Sequence, residues 1–128
     1  MKKKILLWID DLRDPFYGTW IEEYSPIGKE DITVIWVKNY TEFTNYINSE
    51  GMPDAICFDH DLGDDIMGFP EDEKTGYDCA KFLVDYCMDH DSDIPLFNIQ
   101  SSNPAGALNI KSLLDNYHNF YTKTHDVK

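Results

Sequence analysis

The chain has 128 residues, of which 42% are hydrophobic and 14% aromatic, enough for one domain with its own core and too apolar for intrinsic disorder. It carries 11 Lys and Arg against 24 Asp and Glu, a formal net charge of −13. That balance excludes an extended nucleic-acid scaffold working by phosphate neutralisation and disfavours docking on an anionic membrane.

Ile5–Ile9 is an unbroken apolar run that predicts a buried strand, ended by Asp10 and Asp11. The run is too short for the apolar core of a signal peptide, although three lysines precede it, and no segment approaches membrane-spanning length. Leu12–Asp31, with two prolines and two glycines, shows no helical period and reads as irregular. Ile32–Val37 is β-branched and predicts the second strand. Asn39 and Glu42 resemble a capping box, opening a helix that buries Phe43, Tyr46 and Ile47 and stops near Gly51.

Ala55–Phe58 predicts the third strand, followed by Asp59, His60 and Asp61. From Asp59 to Glu73 there are seven acids and no Lys or Arg. Within this loop, residues 61–65 miss the ligand spacing of an EF-hand, so a solvated acidic loop is expected there rather than a second cation site. A helix is expected from Gly76 to about His90, burying Ala80, Leu83, Val84, Cys87 and Met88 at i, i+3, i+4 spacing. Ile94–Ile99 predicts the fourth strand. Asn103-Pro104 then opens a helix that buries Leu108, Leu113, Leu114 and Tyr117. Phe120–Thr122 is expected as a short fifth strand, ending at Lys123. Cys57, Cys79 and Cys87 are odd in number and lie in strand and helix patterns, which points to reduced packing cysteines and a cytoplasmic protein.

Strands alternating with helices predict a doubly wound, five-stranded parallel α/β sheet in a single domain, with the first helix replaced by the irregular segment. Ligands of such sheets bind beyond the carboxyl ends of the strands. Asp10, Asp11, Asp59, His60, Asp61, Gln100, Ser101, Ser102, Asn103 and Lys123 all follow strands, so one edge collects them. Clustered carboxylates repel one another unless a cation neutralises them, and hard oxygen ligands suit Mg²⁺, Mn²⁺ or Ca²⁺, of which Mg²⁺ or Mn²⁺ is expected. The expected metal ligands are Asp10, Asp11, Asp59 and Asp61. A phosphate could then enter despite the acidic surface, with Ser101, Ser102, Asn103, Lys123 and Arg13 as donors. His60, flanked by acids, has the make-up of a general acid or base. His90 reads as a helix-end residue, and His118 and His125 as surface residues.

The order Asp10-Asp11, Asp59, Ser101/Ser102, Lys123 resembles the response-regulator receiver domain. Asp10-Asp11-Leu12-Arg13, Phe58-Asp59-His60-Asp61-Leu62-Gly63, Thr75-Gly76-Tyr77-Asp78 and Ser101-Ser102-Asn103-Pro104-Ala105-Gly106 are similar to the hallmarks of one divergent branch, the cyclic-phosphate-processing receivers. The resemblance implies a receiver-like fold, a divalent cation and action on a cyclic phosphate, such as a nucleic-acid 2′,3′-cyclic end or a small cyclic nucleotide. His60 and Asp59 would be the catalytic residues. That branch commonly places a histidine where this chain has Gln100. Two other readings stay open on the residues alone: a non-enzymatic switch phosphorylated on Asp59, and an adaptor with a vestigial site.

Overall fold

A computed structural model describes residues 3–62 and 74–125. Most of the acidic loop, including Asp64, Asp65 and Glu71–Glu73, lies outside the described residues. Four strands, β1 (Lys4–Ile9), β2 (Ile32–Val37), β3 (Ala55–Phe58) and β4 (Leu96–Ile99), form one sheet. All pairings are parallel, in the order β2-β1-β3-β4. The helices are α1 (Trp20–Tyr24), α2 (Tyr40–Glu50), α3 (Gly76–Asp89) and α4 (Pro104–His125).

Alternation along the strands divides the core between the two sheet faces. Leu7, Ile9, Ile56 and Phe58 pack with Phe43 and Ile47 of α2, Leu83 and Cys87 of α3, and Ile110, Leu114 and Tyr117 of α4. Leu6, Trp8, Ala55 and Cys57 face the other way, against Trp20, Ile21, Tyr24 and Ile27. The segment after β1 thus covers the β1 and β3 part of this face, while Leu96 and Asn98 of β4 stay exposed. It is not wholly irregular: Trp20–Tyr24 makes one helical turn, held by apolar packing rather than by sequence periodicity. All three cysteines are buried, and burial pushes the Cys57 thiol up to about 12 and that of Cys87 up to about 11.

Local signals account for the other helices. Asn39 caps α2 by accepting from the Glu42 amide at 2.8 Å, and Gly51 ends it at φ 84°. Thr75 and Asp78 form a reciprocal capping box on α3. Leu108 and Met88, expected inside, are exposed, whereas Ile110 and Gly106 are buried.

The fifth strand is not formed: Phe120–Thr122 lies inside α4. The helical stripe of Ile110, Leu114 and Tyr117 continues through Tyr121 to His125. Tyr117 donates to the Ser92 carbonyl at 2.6 Å, Tyr121 to the Asp91 carbonyl at 3.4 Å, and His125 Nε2 lies 2.7 Å from the Asp91 carboxylate. His118 likewise contacts Asp93 at 2.7 Å. These contacts fasten the last turns of α4 to the α3–β4 connection, so His118 and His125 are surface residues, as expected, that also tether the helix.

Candidate functional site

With β1 and β3 adjacent and β2 and β4 outside them, the strand order reverses at the β1–β3 boundary, where sheets of this kind bind ligands. Asp10 and Asp11 leave one of these strands and Asp59 the other. The registers place Ile9 beside Phe58 and Phe58 beside Ile99, which brings the three strand ends level. Carboxylate oxygens of Asp10, Asp11 and Asp59 lie within 4.8 Å of one another.

The loop after β1 is fixed from several sides. Asp10 Oδ1 accepts from the amides of Leu12 and Arg13 at 2.9 and 2.8 Å. The indole of Trp36 donates to the Asp10 carbonyl, and that of Trp8 to the Arg13 carbonyl. Arg13 lies 3.3 Å from Asp10 Oδ2 and 4.0 Å from Asp59 Oδ1, with its guanidinium over the Trp20 ring. In this conformation Arg13 is a counter-charge to Asp10 and Asp59.

Asp10 is fully buried and Asp59 is 5% exposed. Burial, then the charges of Asp10 and Asp11, push the Asp59 carboxyl up to about 7, with Arg13 opposing them. A converging set of hard carboxylate oxygens fits a divalent cation. Gln100 adds to this fit, because among the described residues its buried Oε1 has no hydrogen-bond partner.

Beside the acids stands a second group. His60 Nδ1 lies 2.8 Å from Asp61 Oδ1, and Asn103 Nδ2 donates to the same oxygen at 3.2 Å. These hydrogen bonds hold the Asp61 carboxyl below its usual range, so it acts as an acceptor and His60 Nδ1 carries the proton. Among the described residues His60 Nε2 has no hydrogen-bond partner. The Asp61 carboxylate therefore serves His60 and Asn103, its amide hydrogen-bonds to the Asp59 carboxyl, and the converging acidic oxygens are those of Asp10, Asp11 and Asp59.

Two glycines that sequence reasoning left without a role set the position of His60. The Gly76 amide donates to the His60 carbonyl at 2.8 Å, and a Cβ at Gly76 would overlap the Asp59 carbonyl oxygen. A Cβ at Gly106 would overlap the His60 ring. Glycine in a first helical turn is unfavourable by propensity, and this was the available signal.

The turn after β4 brings α4 to the same place. Asn103 Oδ1 accepts from the Gly106 amide at 2.9 Å, and Ser101 Oγ accepts from the Asn103 amide at 3.0 Å. Asn103 is thus occupied in capping α4 and holding Asp61, whereas among the described residues the Ser101 hydroxyl is seen only as an acceptor. Ser102 is exposed at this turn. Lys123 does not join the site. It lies on the last turn of α4, roughly 28 Å along the axis from Pro104 at ~1.5 Å per residue.

Comparison with known proteins places this geometry in context. Residues 5–116 match the family model of the cyclic-phosphate processing receiver domain. No curated protein matches the chain. A solved chain described as yeast Spc42 trimeric coiled coil, amino acids 181–211, in a fusion is similar over 100% of this chain and 87% of its own, at 17% identity and a TM-score of 0.53. That likeness concerns the fold alone. Among the described residues no helix is long and apolar enough to cross a membrane.

Proposed function

Since this chain belongs to the cyclic-phosphate processing receiver domain family, we propose that it hydrolyses a cyclic phosphate diester in a site that requires a divalent cation. The observation that carries this reading is the His60–Asp61 pair, seated at the start of α4 and next in sequence to the acidic cluster. A receiver that only stores a phosphoryl group on an aspartate has no need of a histidine oriented by a carboxylate. Hydrolysis has such a need, because a proton must leave the attacking water and another must reach the departing ring oxygen.

In this reading Asp10, Asp11 and Asp59 hold Mg²⁺ or Mn²⁺, which supplies the positive charge that admits a phosphate to a chain of net charge −13. Asp61 fixes the His60 ring with Nδ1 protonated, leaving Nε2 to exchange a proton with the reacting oxygen. Ser101 donates to a phosphoryl oxygen. The new bond joins water oxygen to phosphorus, one ring P–O bond breaks, and the products are a phosphomonoester and the hydroxyl that takes up the proton.

The test is turnover of 2′,3′-cyclic nucleotides by the purified chain with Mg²⁺ or Mn²⁺, followed by ³¹P NMR. Ring opening that is abolished by chelation and falls about 100-fold or more in His60→Ala is expected for a general acid or base. Absence of turnover, or turnover indifferent to His60→Ala, would sink the proposal.

A further inference from the structure

Gln100 is 2% exposed, and its side chain and backbone tie three strands together. Its amide N–H donates to the Phe58 carbonyl of β3 at 2.9 Å, while its side-chain Nε2 donates to the Ile9 carbonyl of β1 at 3.1 Å. Because β3 lies between β1 and β4, the side chain crosses the end of β3 to reach Ile9. The same Ile9 carbonyl accepts from the Asp59 amide at 3.0 Å. The Gln100 carboxamide therefore lies where Asp10 and Asp59 leave the sheet.

The orientation of this amide is set by its partner. A carbonyl accepts and cannot donate, so the nitrogen faces Ile9 and Oε1 is the atom left over. Oε1 is buried and, among the described residues, has no partner. A buried acceptor with no hydrogen bond forfeits its hydration and gains nothing in return, so such an atom in a native fold calls for a donor. The donor cannot be a phosphoryl oxygen of a cyclic diester, which carries no proton. It can be water. Mg²⁺ and Mn²⁺ keep several bound waters, whose O–H groups seek acceptors in the wall of the site.

We propose that Gln100 is a positioning residue of the cation centre, its Oε1 accepting a hydrogen bond from a water ligand of the cation held by Asp10, Asp11 and Asp59. The inference rests on reading those three acids as a cation site. It gives Gln100 a role that needs no titration.

The experiment is Mn²⁺ titration of the full chain, followed by the EPR signal of free Mn²⁺, with thermal unfolding in EDTA measured in parallel. Gln100→Leu should weaken Mn²⁺ binding about 10-fold or more, the usual effect of losing an outer-shell partner. It should leave the EDTA unfolding midpoint equal or higher, because it removes an orphan polar atom from the core. Gln100→His offers one ring nitrogen to donate to Ile9 and another to accept, and should bind Mn²⁺ as the native chain does. Should Gln100→Leu not fold, Gln100→Met carries the same comparison. Mn²⁺ affinity unchanged in the apolar variant would overturn the proposal, leaving Oε1 the acceptor of an isolated buried water. If the native chain itself binds no Mn²⁺, the cation reading fails along with it, an outcome distinct from selective indifference to Gln100.

Discussion

His60 lies with its imidazole directly on Gly106, so closely that a Cβ there would overlap Cγ and fall 2.5 Å from Cδ2. The first turn of α4 is thereby a seat for the ring. Gly106→Ala tests this. Alanine improves helix propensity by ~1 kcal/mol, so a variant judged by propensity alone gains stability. The expected result is the reverse for function: the ring is displaced, its hydrogen bond to Asp61 is lost, and turnover falls about 100-fold or more. The His60 imidazole resonances in NMR should move in the same variant.

Gly76 meets backbone rather than a movable side chain. A Cβ there would overlap the Asp59 carbonyl oxygen and lie 2.8 Å from its carbon. Relief requires α3 to shift away from the end of β3. Gly76→Ala should destabilise the fold by ~1–3 kcal/mol, the usual cost of overpacking, and should lower turnover as well. Urea unfolding monitored by tryptophan fluorescence measures the first effect.

The acidic cluster predicts how stability varies with pH in the absence of a cation. Asp59 has a folded value of about 7 against an ordinary 3.8, so between these limits the native state binds more protons than the unfolded chain. Stability therefore falls as pH rises through that window, and the loss is complete above it. The upper bound is ~4 kcal/mol, at ~1.4 kcal/mol for each pH unit between the two values. Asp59→Asn should remove most of this slope and be more stable than the native chain at pH 8 in EDTA. Adding Mg²⁺ to the native chain should flatten the slope, because the cation takes over the protons' part. Urea unfolding at pH 5 and pH 8, with EDTA or Mg²⁺, checks all three statements.

Arg13 brings its guanidinium to both Asp10 and Asp59 and so offsets part of their charge. Arg13→Ala should destabilise the cation-free fold by ~1–3 kcal/mol, since Asp10 stays buried with less compensation. Mg²⁺ should recover part of that loss. A variant equally destabilised with and without Mg²⁺ would show that Arg13 acts through its packing on Trp20 instead.

Lys123 provides the opposite control. Placed at the far end of α4, it is expected to leave turnover within about twofold when changed to Ala, as ordinary surface substitutions do. A 100-fold loss in Lys123→Ala would mean that the end of α4 reaches the site after all.

The parallel α/β class, four of the strands, the cap at Asn39 and the gathering of Asp10, Asp11, Asp59, His60 and Asn103 at one edge were legible in the linear chain. Each depends on local patterning: apolar runs ended by acids, helical periodicity, and polar residues that must follow strands in a parallel sheet. Four short motifs likewise marked the family, which the match over residues 5–116 supports. Tertiary structure decided the rest. Phe120–Thr122 is helical because Tyr121 and His125 find Asp91, a partner distant in sequence that no local propensity reveals. This took Lys123 away from the site. The Asp61 carboxylate meets His60 and Asn103, the latter brought to it by the turn before α4, while the Asp61 amide hydrogen-bonds to the Asp59 carboxyl. Gly76 and Gly106 matter through distances to other elements, and the crossing of Gln100 from β4 to β1 depends on strand order. Composition and periodicity specify which faces are buried; only the packed sheet specifies which buried polar atoms meet.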